Sequence, residues 1–107
     1  MTEGYLSMSA TTVLQAIANG YVYGFDIMDA TGLPSGTVYP ALRRMEAAGL
    51  IASRWEDADV AQRQQRPTRK YYEVLRSGQL ALTQAVARYR FAGRAPARGS
   101  KPSPAKR

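Results

Sequence analysis

Two short helical patterns, residues 24–31 and 35–48, are separated only by Gly32, Leu33 and Pro34. Glycine is the least strained residue where a helix ends in the left-handed region, and a proline soon after it cannot continue the helix. The two helices must therefore meet at a tight turn, with no room for a linker. That turn limits the folds open to the chain more than any bulk property does.

The flanking segments narrow the choice. Residues 8–19 place Ala10, Val13, Leu14 and Ile17 at helical spacing, with Ser9 as the expected N-cap and Gly20 as the stop. Tyr21 and Val22 suit a very short strand. Ser35 is expected to cap the third helix, and Gly49 to close it. The period then changes: residues 50–56 (LIASRWE) and 69–75 (RKYYEVL) read as two strands. The polar stretch between them, 57–68, contains Pro67 and no aromatic residue, and is expected to be a mobile loop. From Ser77 to about Ala92 the pattern is helical again, with Leu82, Val86 and Tyr89 repeating on one face.

Three helices, a two-stranded hairpin and a last helix make a mainly α chain with a small β-hairpin. This is the winged helix-turn-helix arrangement with an additional C-terminal dimerisation helix. Residues 1–75 are expected to be a winged helix-turn-helix DNA-binding domain, 76–92 the dimerisation helix, and 93–107 a disordered basic tail rich in Pro, Gly, Ser and Arg.

On the third helix, 100° per residue puts Val38, Leu42 and Met45 on a core stripe flanked by Ala41 and Ala48. The opposite face carries Gly36, Tyr39, Pro40, Arg43 and Ala47. Small residues and a proline let that backbone approach a surface, with Tyr39 and Arg43 standing out beside them. Ser35 and Thr37, at the helix N-terminus, suit phosphate oxygens, and Arg43 has the reach for a guanine edge or a phosphate. An isolated arginine pair is usually mere solvated surface. The helix-turn-helix setting makes this face the candidate DNA surface.

Arg63, Arg66, Arg69 and Lys70 fall within eight residues with no acid among them. One reading is a wing lying along the phosphate backbone of double-stranded DNA. The other is a solvated loop whose charge offsets Glu56, Asp57 and Asp59, and the residues alone leave both open. Tyr21, Tyr23, Trp55, Tyr71 and Tyr72 are expected to pack in the core and hairpin, Trp55 in the core itself.

Charge sharpens the picture. The formal charge is +7, but five basic residues and no acid lie beyond residue 92, which leaves +2 for residues 1–92. A domain this close to neutral attracts an anion only through patches. Its mildness also keeps open an alternative, a winged-helix protein–protein interaction module without sequence-specific DNA binding.

The 107 residues support one domain, and no apolar run approaches the length of a membrane span. Residues 1–5 have no charged-then-apolar pattern of a secretory signal, and a cytoplasmic setting is expected. The chain contains neither Cys nor His; its eight acids are scattered, and its lysines are Lys70 and two in the tail. No enzyme, cofactor or metal is therefore expected. The last helix carries Leu80, Leu82, Val86, Tyr89 and Phe91, more apolar surface than so small a domain readily covers. Leu82, Val86 and Tyr89 are the candidate homodimer interface, the alternative being that this helix folds back on the first helix of its own chain.

The run YGFDIMDATGLPSGTVYPALRRMEAAGLIASRWE, followed by RPTRKYY, resembles the PadR family. The most specific part is GTVYPALRRMEAAGLI, residues 36–51, with the Tyr39-Pro40 pair close to a signature and Arg69-Lys70-Tyr71-Tyr72 like the end of the family's wing. The similarity covers about residues 6–90. It implies a dimeric transcriptional regulator, usually a repressor, with Ser35, Thr37, Tyr39 and Arg43 facing DNA. It also implies a small aromatic effector bound near the dimer interface in many members, for which Tyr89 and Phe91 are the candidate lining. The chain departs from the family pattern in three places. Tyr23-Gly24 stands where a His-Gly pair is frequent, Leu75 where a threonine caps the last helix (leaving Ser77 to serve), and Gln65-Arg66-Pro67-Thr68 where the wing turns on glycine-proline-arginine.

Overall fold

A computed structural model describes residues 6–94, with side chains described through residue 90. The elements run α1 (Met8–Ala18), α2 (Gly24–Thr31), α3 (Ser35–Ala47), β1 (Ile51–Trp55), α4 (Ala58–Arg63), β2 (Lys70–Val74) and α5 (Arg76–Arg94). Residues 1–5 and 95–107, most of the expected tail, lie outside the described residues. α5 itself takes in the first two residues of that expected tail, 93 and 94.

Both glycines that punctuate the helix pair have positive φ, 74° at Gly32 and 79° at Gly49, so each helix stops where the sequence predicted. The caps differ from expectation at two serines. Ser7, not Ser9, caps α1, its Oγ accepting from the Ala10 amide at 3.0 Å. Either serine suits the role chemically, and the earlier one wins because the helix starts at Met8. At α3 the N-cap is Pro34, whose carbonyl accepts from the Thr37 and Val38 amides, and Ser35 is the first helical residue.

The core forms where the inner faces of α1, α2, α3 and α5 meet the hairpin. Val13, Leu14, Ile27, Val38, Leu42 and Ile51 are its fully buried centre. Met45 and Ala41 complete the predicted α3 stripe. β1 and β2 pair antiparallel, with Ile51 opposite Val74, Ser53 opposite Tyr72 and Trp55 opposite Lys70. The very short strand expected near residue 21 is reduced to one bridge between Tyr23 and Tyr71, alongside a 2.8 Å bond from the Tyr72 amide to the Val22 carbonyl.

The expected mobile loop contains α4. Asp57 caps it by accepting from the Asp59 amide at 3.1 Å, and Ala61 is buried beneath it. Six residues with one apolar contact give too weak a period to be legible in advance.

α5 folds back on α1 of its own chain. Leu82 and Ala85 enter the core, with Val86 and Tyr89 packed against it, and the Tyr89 hydroxyl donates to the Leu6 carbonyl at 2.6 Å. Ser77 does not serve as a cap in the family's manner: its Oγ donates to the Gly49 carbonyl at 2.6 Å. One turn of α5 thus sits directly on the end of α3, so close that a Cβ on Gly78 would collide with the Leu50 carbonyl. No described helix is long and apolar enough to cross a membrane.

Candidate nucleic-acid interface

The outer face of α3 presents Ser35, Gly36, Arg43 and Ala47 to solvent, with Tyr39 38% exposed and Thr37 half-buried. Pro40 lies inside the helix, so the bond its nitrogen would make to the Gly36 carbonyl is missing. Gly36 is exposed, and water can take that carbonyl. The phenol of Tyr39 lies directly over Gly24 at the start of α2. A Cβ on Gly24 would come within 2.6 Å of the Tyr39 Cζ, so the helix pair is close-packed at this point only because residue 24 has no side chain.

The hairpin is tied to α3 at its root. Ser53 Oγ donates to Glu46 Oε2 at 2.6 Å. Burial raises the pKa of the Tyr72 hydroxyl, the nearby Glu46 and Tyr39 reinforce the rise, and Arg43 opposes it. The Ser53–Glu46 bond fastens the first strand of the hairpin to α3.

Between them lies a cleft of about 700 Å³. Its lining takes in Tyr39 and Arg43 from α3, Trp55, Arg69 and Lys70 from the wing, and Tyr23 at the floor. With Arg66 the lining carries four cations and no acid. Five of the eight residues expected to meet DNA, Tyr39, Arg43, Arg66, Arg69 and Lys70, thus converge on one concavity. Ser35, Thr37 and Arg63 are not among its lining residues; Arg63 is exposed at the end of α4.

The wing cations differ in their surroundings. The Arg69 guanidinium lies 4.0 Å from the centroid of the Tyr23 ring, which meets Tyr71 edge-on, and Lys70 Nζ lies 5.6 Å from the Trp55 ring. Of the two readings open for the wing cations, Arg66 follows the one in which its charge offsets Glu56. Its two terminal nitrogens bind the two oxygens of Glu56 at 2.7 Å each. The same carboxylate accepts from the Arg69 amide and the Tyr71 hydroxyl, both at 3.2 Å. Hydrogen bonding from Arg66 holds the Glu56 carboxyl at about 2, well below its ordinary 4.5, against an opposing push from burial. Charge along the sequence offered Glu56 as one of three acids the loop could offset, and the fold across the base of the loop selects it for Arg66.

Trp55, expected in the core, is 65% exposed. It shares a face of β1 with buried Ile51, as alternation requires, but the core ends before it. Leu82, Val86 and Tyr89, the expected dimer residues, pack within their own chain, Leu82 being only 6% exposed. Leu80, 61% exposed, is the large apolar residue on the outer side of α5. The side chain of Phe91 lies outside the described residues.

This arrangement matches a known family. Residues 13–84, about two thirds of the chain, match the model of the transcriptional regulator PadR-like family. The chain belongs to that family. Among solved structures, a PadR family transcription regulator from Clostridium difficile R20291 is 25% identical, with a TM-score of 0.70 over 82% of this chain and 93% of that one. A PadR-like transcription factor from Bacteroides fragilis is 23% identical, with a TM-score of 0.67 over 81% and 84%. Bordetella bronchiseptica BpsR, whose DNA binding is regulated by 6-hydroxynicotinic acid, is 19% identical, with a TM-score of 0.64 over 90% and 73%. Comparison with curated protein sequences finds no match. The chain thus has the winged helix fold of a PadR-like transcriptional regulator, with α2 and α3 as its helix pair and β1–β2 as its hairpin.

Proposed function

We propose that this PadR-like chain is a homodimeric, sequence-specific DNA-binding repressor, acting in the cytoplasm by binding rather than by catalysis. α3 enters the major groove, where Arg43 and Tyr39 meet base edges, while Ser35 and Thr37 approach phosphates. Arg63, Arg69 and Lys70 of the wing follow the adjacent backbone. The observation that carries this reading is the cleft joining the outer face of α3 to the wing, whose lining carries no acid and, besides the Glu56-paired Arg66, the three cations Arg43, Arg69 and Lys70. Two copies multiply a modest single-domain affinity, and exposed Leu80 on α5 supplies an apolar anchor for the pair. Release by a small aromatic molecule completes the proposal. BpsR, similar in fold, is regulated by such a molecule.

Fluorescence anisotropy tests the reading, using duplex DNA from just upstream of the chain's own coding sequence, a shuffled duplex and a salt series. Tight binding to the upstream duplex alone is the expected result. Equal, salt-sensitive binding to both removes the sequence specificity at that site. No binding to either at low salt leaves a winged-helix interaction module.

A further inference from the structure

Three aromatic side chains are exposed around one cleft: Phe25 at 72%, Trp55 at 65% and Tyr39 at 38%. Large exposed apolar groups gathered in one place on a small domain mark a contact surface. Trp55 stands out among them. Its strand face buries Ile51 and Tyr72 nearer the root, so at residue 55 the same face continues beyond the core and turns toward the recognition helix. Its cross-strand partner Lys70 sets an ammonium over the ring at 5.6 Å. Across the cleft are Tyr39 and Arg43. Of the carboxylates beside the cleft, Glu56 is bound by Arg66 and Glu46 accepts from Ser53, and neither is among the lining residues.

We infer that this cleft straddles one sugar-phosphate strand of duplex DNA, and that Trp55 is a DNA-contacting residue. Its ring packs on the apolar face of a deoxyribose, and Lys70 meets the phosphate beside it. The inference rests on the DNA-binding reading above and adds an occupant for the cleft. A helix lying in the major groove is bordered by a sugar-phosphate strand, and a hairpin fixed beside that helix must meet it. Such a strand alternates anionic phosphates with apolar sugar faces. The wall at residues 55 and 70 alternates an indole with a cation in the same way. A flat aromatic platform next to a basic group tolerates any sequence, so this contact adds affinity while α3 adds selectivity.

The test uses the full chain, in which Trp55 is the single tryptophan. A duplex is first selected from a random-sequence pool by the unaltered protein. Its addition should change Trp55 emission and reduce quenching by acrylamide, in step with the anisotropy of the labelled duplex. Trp55→Ala should weaken binding roughly tenfold, about 1.4 kcal/mol, with an unchanged salt slope because no charge is removed. Trp55→Phe should recover part of the loss. Lys70→Gln should instead lower the salt slope by about 0.9. The melting temperature of Trp55→Ala should stay that of the parent, since the residue is mostly exposed. Saturating binding with unchanged Trp55 emission and full affinity of Trp55→Ala overturns the inference and leaves the DNA-binding reading standing. If no duplex can be selected, both fall together.

Discussion

Arg66 grips Glu56 with both terminal nitrogens, each 2.7 Å from a carboxylate oxygen, and the Glu56 side chain is only 5% exposed. The pair closes the base of the 57–69 segment, which also has the Glu56 amide bonded to the Arg69 carbonyl at 2.7 Å. This wing is held in shape by a carboxylate clasp.

The clasp has a pH signature. Because the carboxyl of Glu56 sits at about 2 in the fold against 4.5 ordinarily, the unfolded chain binds its proton more readily. The stabilising contribution is therefore full above pH 4.5 and disappears as pH falls through about 2. Thermal melts of the parent and Glu56→Gln should differ most near neutrality and converge in acid. At pH 8, trypsin should cut the variant faster at Arg63 and Arg69. Equal cleavage rates and parallel melts would show that the clasp contributes nothing to the wing.

Arg43→Ala should weaken binding to a selected duplex by roughly 1–3 kcal/mol if the guanidinium reads a base. Its side chain is exposed on α3 and buries nothing, so the melting temperature should be unchanged. Full affinity in the variant would mean that the reading face of α3 lies elsewhere.

Two glycines predict opposite outcomes for the same substitution. Gly24→Ala meets only the far end of the Tyr39 ring, which can swing away. It should fold with little loss, while the displaced phenol lowers DNA affinity. Gly78→Ala meets the Leu50 backbone, which cannot move without the strand. It should lose about 1–3 kcal/mol of stability as an overpacked site. Denaturant melts and anisotropy on both variants check the contrast.

Leu80 and Leu82 differ in the same manner on α5. Leu80→Asp, at a 61% exposed position, should keep the fold and shift sedimentation from dimer toward monomer. Leu82→Asp, in the core, should leave no folded protein at all, since it buries an unpaired charge. A Leu80→Asp chain that still sediments as a dimer would move the proposed interface off that residue.

What the sequence made legible was whatever local periodicity and turn chemistry decide. Val38, Leu42 and Met45 announced the inner face of α3, and Gly32 and Gly49 its limits. Trp55 was expected in the core from its place in an apolar strand, yet a strand pattern contains no information on how far a core extends along it. That depends on what lies opposite, and opposite Trp55 there is a cleft. For Arg66 the sequence left two readings open, and its pairing with Glu56 depends on how the loop folds back on its own base. α4 rests on one buried alanine, below what a period can signal. The outer face of α5 was harder still: Leu82 and Leu80 are two residues apart in an apolar-rich helix, and only the position of α1 decides which turns inward.

The junction of α3 and α5 has a mechanical consequence. The Gly49 carbonyl is bound by Ser77, the Leu50 carbonyl by the Leu75 amide at 2.9 Å, and Gly78 presses on the same peptide. Two hydrogen bonds and one close backbone approach thus join the start of α5 to the residues that follow α3. A tilt of α5 is thereby expected to carry to α3, as a gauge needle follows its spindle. Whatever grips the far end of α5, a twin chain or a small guest molecule, would dial the heading of the recognition helix without touching it.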